Sequence, residues 1–249
     1  MSDIKVGAGA LGALNRPDEE GASFTSFKSG TTFLVKVLGE EDLMQFYSYG
    51  IFKKVDSFTA ENPSVKTPNG YPKENLTPWD KAWKFHKDQS KEWDDAHGKA
   101  SSLYRPKERY AMAFFDLEEG KEIIIDVSRN QAQTLHQVIS KYSKRLDTLA
   151  FELTKQGSGQ NTTVTLSPVI DFEEDLTEKQ QKNYSEAPKE FDLELFKGLT
   201  KSLSEEDMVK ELVRAGFDVT KIGYEVPDMS ETEEQDGGQG DVEDDDLPF

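Results

Sequence analysis

The sequence contains no cysteine among its 249 residues. A disulfide framework and a thiolate metal site are therefore both excluded, and this composition fits a reducing cytosol. The chain also has no apolar run of about 18 residues, no signal-peptide pattern and no lipidation motif. We therefore expect a cytoplasmic protein with no membrane partner.

Motifs of catalysis are absent as well. The chain has no Walker phosphate-binding loop, no nucleophile elbow and no paired histidine and cysteine. Its many carboxylates fall in the linker and tail rather than between strand ends, and none has the spacing of a nuclease's metal ligands. These absences predict a protein that is not an enzyme and has no catalytic residues, no metal site and no cofactor.

Charge is plentiful but unevenly distributed. The formal net charge is −18, yet residues 28–161 carry 20 basic and 19 acidic side chains, while residues 225–249 carry 11 acidic and no basic ones. The middle of the chain is therefore close to neutral, with local basic clusters. Because the acidity is concentrated near the C-terminus, the low whole-chain pI does not argue against a nucleic-acid partner.

Residues 225–249 have almost nothing apolar to bury and should form a disordered tail. The tail ends in three aspartates and an apolar tip. This pattern predicts a docking peptide for a hydrophobic pocket rimmed by cations, and the alternative is a tail that serves solubility alone. The predicted partner-binding residues are Asp244, Asp245, Asp246, Leu247, Pro248 and Phe249. This tip resembles that of bacterial single-stranded-DNA-binding proteins, which implies recruitment of replication, recombination and repair enzymes.

The part of the chain before the tail divides into three further segments. Residues 1–26 are rich in Gly and Ala and predict a flexible arm, or one that touches a neighbouring subunit. Residues 27–170 contain the β-branched and aromatic runs typical of strands and predict the main domain. Residues 171–224 predict a helical C-terminal extension that packs on this domain or binds a partner.

Residues 63–98 interrupt the strand pattern and predict a helical insertion. Thr77 as cap and Pro78 at the first helical position predict where its helix begins. At 100° per residue, one stripe gathers three tryptophans and two histidines, which predicts an anchor packed on the main domain or a stacking flap over nucleic acid. The stripe comprises Trp79, Trp83, His86, Trp93 and His97. Metal binding by these histidines with Asp94 and Asp95 is a weaker alternative to simple solvation.

The stretch 103–120 alternates in a way that predicts a nucleic-acid-binding strand. Its odd positions place Arg105, Lys107 and Arg109 on one face, followed by Phe115, and its even positions predict a core face. Cations at phosphate spacing beside aromatic rings suit single-stranded DNA, whereas a surface salt-bridge ladder is the alternative. The predicted DNA-binding residues are Lys53, Lys54, Tyr104, Arg105, Lys107, Arg109, Tyr110 and Phe115.

The order of elements predicts the fold. A returning strand at 121–127, a helix at 129–144 capped by Ser128, and a hairpin around the glycine-containing loop 156–160 follow the basic strand. Five or more strands with a helix before the last pair predict a mainly β protein with added helices. Its core should be an oligonucleotide-binding (OB) fold, a five-stranded Greek-key barrel.

The run from Tyr104 to Val169 resembles the core of tailed-bacteriophage single-stranded-DNA-binding proteins. The resemblance rests on the Tyr-Arg-Pro-Lys entry, the Phe-Phe-Asp strand, the helix and the Gly-Ser-Gly loop. It implies an OB-fold protein that coats and protects single-stranded DNA, located in the host-cell cytoplasm if phage-encoded. Some members hold zinc with Cys and His, so without cysteine the 63–98 insertion lacks the metal or replaces it by the Trp-rich helix.

Two functions remain open at this point. The first is single-stranded-DNA binding with partner recruitment through the tail. The second is an acidic adaptor or DNA mimic that binds a DNA-processing enzyme without touching DNA. The basic strand favours the first, because an adaptor has no need of Arg105, Lys107 and Arg109 beside Phe115. The sequence carries no signal for a particular oligomeric state.

Overall fold

The computed structural model describes residues 23–229. These residues form an eight-stranded sheet, a separate two-stranded hairpin and six α-helices. The strands are β1 (Thr32–Lys36), β2 (Leu43–Ile51), β3 (Val55–Ala60), β4 (Val65–Lys66), β5 (Pro72–Glu74), β6 (Lys107–Asp116), β7 (Lys121–Ser128), β8 (Phe151–Gln156), β9 (Thr163–Pro168) and β10 (Ser202–Leu203). The helices are α1 (Pro78–Gln89), α2 (Ala96–Tyr104), α3 (Arg129–Lys141), α4 (Phe172–Asp175), α5 (Glu178–Glu186) and α6 (Glu205–Arg214). Among these residues, no helix is both long and apolar enough to span a bilayer.

Strand β6 organises the sheet. The strand order of the sheet is β10-β3-β2-β6-β1-β8-β9. Strand β7 lies outside this order and pairs with β6. Both β1 and β2 pair antiparallel with β6, β2 opposite residues 107–112 and β1 opposite residues 115–116. The two strands therefore share one edge of β6 and act as a single long strand that is interrupted at residues 37–42.

The prediction of a five-stranded barrel is wrong, because the sheet is larger and is not closed. Among the described residues, β7 pairs with β6 alone and β9 with β8 alone, so the two ends of the predicted barrel do not meet. The outer edge of β7 is instead occupied by the backbone of Thr25, whose N–H donates to the Ile124 carbonyl at 2.7 Å. The structure is a mixed α/β fold, and the predicted helices pack around its sheet.

The first core lies between the sheet and α3. A capping box fixes the start of α3, since the Ser128 side chain accepts from the Gln131 N–H and the Gln131 side chain accepts from the Ser128 N–H. Leu135 and Ile139, one turn apart on α3, are buried against aliphatic and aromatic side chains of the sheet. The Phe27 ring also enters this core.

The second core joins the insertion to the C-terminal extension. Trp79 at the start of α1 is fully buried, and its indole Nε1–H donates to the Met208 carbonyl on α6 at 3.0 Å. The Tyr49 hydroxyl donates to Asp80 Oδ1 at 2.9 Å, so a strand of the sheet and the insertion share a buried hydrogen bond. Burial of these aromatic side chains fixes the insertion on β2 and β3.

Candidate nucleic-acid interface

Other segments of the protein cover the predicted basic face of β6 along most of its length. Arg109 is 8% exposed and its Nε donates to Asp126 Oδ1 at 2.9 Å. Phe115 is buried in a cluster with Leu176 and Tyr184 from the C-terminal extension. The prediction that Arg109 and Phe115 contact DNA from an open strand face is therefore wrong in this structure. The chain around residues 191–199 covers that face.

Three other predicted DNA-binding residues make contacts within the protein. Tyr104 is buried in the second core, where its ring lies 5.7 Å from that of Trp79. Lys53 and Lys54 are exposed at the turn between β2 and β3. The Lys54 ammonium donates to the Ala215 carbonyl at the end of α6, and the Lys53 ammonium lies 5.1 Å from the ring of Phe52.

Among the remaining predicted residues, Lys107 and Tyr110 lie at the start of β6 on opposite faces of the strand, and Arg105 caps the end of α2 beside the ring of Tyr71 in the insertion. The rings of Tyr71 and Trp83 stack there, with centroids 5.9 Å apart and planes at 22°. The Arg105 guanidinium lies 5.9 Å from the Tyr71 ring centroid. Tyr71 comes from the turn between β4 and β5, Trp83 from α1 and Arg105 from the end of α2, so three separate elements build this stack.

A second ring, that of Tyr47 on β2, continues the surface. The Lys66 ammonium lies 4.6 Å from its centroid, a distance at which a cation is attracted to the ring face. Gly70, with φ +77°, turns the β4–β5 hairpin against Tyr47, and a β-carbon at Gly70 would lie 3.4 Å from Tyr47 Cε1. Tyr71 follows directly, so the hairpin connects the Tyr47 ring to the Tyr71–Trp83 stack.

Glu108 lies directly beside Tyr47, because the register of β2 and β6 pairs these two residues. Its Oε1 accepts from the Tyr110 hydroxyl at 2.8 Å and from Gln45 Nε2 at 2.6 Å. The Arg129 guanidinium lies 3.8 Å from its Oε2. Burial raises the pKa of Tyr47 and of Tyr110; the Glu108 charge raises that of Tyr47 further, and the hydrogen bond to Glu108 and then its charge raise that of Tyr110. Both phenols therefore keep their protons at neutral pH and remain hydrogen-bond donors.

We call this surface the aromatic–cationic face. Its members are Tyr47, Lys66, Tyr71, Trp83, Arg105, Glu108, Tyr110 and Arg129. The set combines four rings with three cations and one carboxylate. Such a surface can stack bases on its rings while its cations neutralise phosphates, and neither contact depends on base sequence.

Sequence reasoning did not include Tyr47, Lys66, Tyr71 and Arg129 among the candidate DNA-binding residues. Each belongs to a different element, and only the folded sheet brings them beside Arg105. The one available signal was the Asn69-Gly70-Tyr71 turn, in which a tyrosine follows a turn-forming pair. The insertion for which a stacking flap was one alternative contains Tyr71, which the sequence did not single out.

The residues considered for a metal have other contacts. His86 Nδ1 lies 3.0 Å from His97 Nδ1, so the two imidazoles are paired with each other. Asp95 caps α2, and its Oδ1 accepts from the Gly98 N–H at 2.6 Å. Within residues 23–229, no group of three or more His, Cys, Asp or Glu side chains is arranged to hold a metal ion.

Comparison with known proteins adds no assignment. No protein-family model matches the chain, and neither does any curated protein or solved structure. The predicted docking tip, Asp244 to Phe249, lies outside the described residues, as does most of the predicted N-terminal arm. A functional interpretation therefore depends on the geometry of the aromatic–cationic face.

Proposed function

We propose that this protein is a non-enzymatic single-stranded-DNA-binding protein that holds DNA on the aromatic–cationic face. The stack of Trp83, Tyr71 and Arg105 carries the proposal, because Tyr71 is 42% exposed and its ring faces a guanidinium and an indole. Bases stack on a tyrosine or tryptophan ring only when they are not enclosed in a duplex. The adaptor alternative gives no reason to expose such rings among cations.

The strand connections support the same function. Taking β1 and β2 as one strand, the chain order is that strand, β6, β7, α3, β8 and β9, which is the order of an OB fold with its helix before the last hairpin. We propose an OB fold that is open between β7 and β9. OB folds bind oligonucleotides on the second and third strands and on the loops between strands 1 and 2 and strands 4 and 5. Here the first of these loops is the long connection from β2 to β6, which contains Tyr71, Trp83 and Arg105.

The acidic C-terminus completes the proposal. Residues 230–249 carry nine carboxylates and end in Leu247, Pro248 and Phe249. We propose that the protein coats and protects single-stranded DNA during phage replication, recombination and repair, and that this tip recruits the enzymes that act on it. A negative tail and a cationic face on one chain suit these separate tasks, since the tail has no affinity for phosphate.

The test is binding of labelled oligo-dT, measured by fluorescence anisotropy over a salt series. We expect Tyr71→Ala and Trp83→Ala each to weaken binding by about 1–3 kcal/mol with an unchanged salt slope, since each removes a stacking platform. Arg105→Ala should instead lower the salt slope by about 0.7, as expected for one lost phosphate contact.

Trp93→Ala is the matched control, because Trp93 is 65% exposed and lies outside the aromatic–cationic face. It should bind as the unaltered protein does. If the unaltered protein fails to bind oligo-dT, or if the Tyr71 and Trp83 variants bind as tightly as the control, the proposal is wrong. The acidic adaptor then becomes the better explanation.

A further inference from the structure

The Lys66 ammonium on β4 is engaged by groups of the protein on several sides. Its Nζ donates to the Ser64 side-chain oxygen at 3.1 Å and to the Ser64 carbonyl at 3.4 Å. It also lies over the Tyr47 ring of β2, 4.6 Å from the centroid. An ammonium has three donors, so two hydrogen bonds and a ring face leave little of this group for a phosphate.

A buried carboxylate attracts the same ammonium from the side of α1. Asp80, in the first turn of α1, is fully buried, and its oxygens accept from the Tyr49 hydroxyl and the Thr77 N–H. Burial lowers the pKa of Lys66, and the charge of Asp80 opposes that shift. A phosphate that drew Lys66 outward would separate it from a carboxylate that has no access to water.

The residue that follows Lys66 fixes the backbone of Tyr71. Thr67 donates its N–H to the Tyr71 carbonyl at 2.8 Å, and the Thr67 side-chain oxygen accepts from the Tyr71 N–H at 3.1 Å. Lys66 itself is opposite Pro72 in the register of β4 and β5. The position of Lys66 therefore determines where the Tyr71 ring lies relative to Trp83 on α1.

We infer that Lys66 is a positioning residue, which fastens the β4–β5 hairpin to β2 and α1 so that Tyr71 stacks on Trp83, and that it contacts no phosphate; the inference rests on the proposed function. The ammonium lies where β2, the hairpin and α1 meet, and the last two of these elements supply the two stacked rings. One cation of the face thus serves base stacking and not charge neutralisation.

The test is a double-mutant cycle measured by oligo-dT affinity over a salt series. Lys66→Met keeps the aliphatic stem and removes the ammonium. It should weaken binding by about fivefold or more with an unchanged salt slope, because it loosens a stacking platform and removes no phosphate contact. In a Tyr71→Ala background the same substitution should have little further effect, since Lys66 acts through that ring.

Lys73→Met is the matched control, because it removes one positive charge from the same hairpin. The Lys73 side chain is 64% exposed and pairs with Glu74 at 3.1 Å. Hydrogen exchange at the Gly70 and Tyr71 amides, which donate to Thr67, should become faster in Lys66→Met. It should stay as slow in Lys73→Met as in the unaltered protein.

Ser64→Ala covers the case in which Lys66→Met fails to fold. It removes the shorter of the two hydrogen bonds that the Lys66 ammonium donates and keeps every charge. It should weaken oligo-dT binding less than Lys66→Met does, again with an unchanged salt slope.

The outcomes that overturn the inference are distinguishable from failure of the proposed function. If Lys66→Met lowers the salt slope by about 0.7 and its loss adds to that of Tyr71→Ala, Lys66 contacts a phosphate and the proposed function stands. If Ser64→Ala, or a folded Lys66→Met, binds as tightly as the unaltered protein, Lys66 does not position the stack. If the unaltered protein does not bind oligo-dT, the proposed function fails together with the inference.

Discussion

The insertion, residues 63–98, carries two sets of aromatic side chains that differ in how deeply they are buried. The inward set includes Trp79, which is fully buried, 5.2 Å from the Phe58 ring and hydrogen-bonded to the Met208 carbonyl. The outward set is Tyr71 and Trp83, which stack on each other beside Arg105. Trp79 and Trp83 lie one turn apart on α1, so a single helix both anchors the insertion and presents a ring. Stability and DNA binding should therefore respond to different substitutions.

The largest expected effect is on the inward set. Trp79→Ala should lower the free energy of unfolding by about 3–5 kcal/mol, because it opens a cavity in the second core and leaves the Met208 carbonyl without its donor. Urea denaturation followed by far-UV circular dichroism measures this loss. Trp93→Ala, at an exposed position, should change the free energy by no more than about 0.5 kcal/mol. Equal losses in the two variants would show that burial of Trp79 does not anchor the insertion.

The difference between the buried Trp79 and the exposed Trp93 was only partly predictable from the sequence. Thr77 and Pro78 correctly predicted the start of α1, where the structure has a capping box. The predicted stripe from Trp79 to His97 was wrong beyond Gln89, because α1 ends there and Asp95 begins a new helix. A period of 100° per residue holds only within one continuous helix, and the sequence has no proline or glycine at 88–92 to mark the break.

The same reasoning explains the errors on β6. Alternation correctly separated Arg109 and Phe115 from Tyr110 and Met112. Tyr110 and Met112 pack in the first core, whereas Phe115 enters a different cluster and Arg109 pairs with Asp126. Which group faces solvent depends on what covers the strand, and the cover over Ala111 comes from about 80 residues later in the chain. Alternation is local information, whereas exposure is decided by contacts between distant segments.

A smaller expected effect is that the acidic tail changes DNA binding at the outward aromatic set and does not affect the inward set. Residues 230–249 carry nine carboxylates, and tethering gives them an effective concentration on the order of millimolar at the cationic face. The tail should compete with DNA for the outward set and leave the inward set untouched. Removing residues 230–249 should tighten oligo-dT binding by about 1–2 kcal/mol at low salt.

The control for this truncation is deletion of Phe249 alone, which removes the apolar tip and keeps every acidic side chain. It should leave DNA affinity unchanged. The gain from truncation must shrink as salt rises, because the Debye length falls from ~30 Å at 0.01 M to ~8 Å at 0.15 M. Salt curves of the full and truncated chains that superimpose would contradict competition by the tail.

The smallest expected effect is a pH dependence confined to the inward set. His86 stacks on Tyr104 with ring centroids 5.7 Å apart, and its Nδ1 shares a hydrogen bond with His97. Burial lowers the pKa of His86 below its ordinary value of 6.5, and the nearby His97 and Lys221 lower it further. Phe85 and Phe217, which also pack against His86, bring no compensating negative charge.

The sign of the effect follows from where protons bind. Between the lowered pKa of His86 and 6.5, the unfolded chain binds more protons than the folded one, so stability is complete above pH 6.5 and declines as pH falls through this window. Urea midpoints at pH 7.5 and 5.5 measure the decline. His86→Phe keeps a ring against Tyr104 and should flatten it, whereas His136→Gln on α3 should not. If His86→Phe retains the full pH dependence, acid acts elsewhere in the protein, and the imidazole pair is not what makes the inward set sensitive to protons.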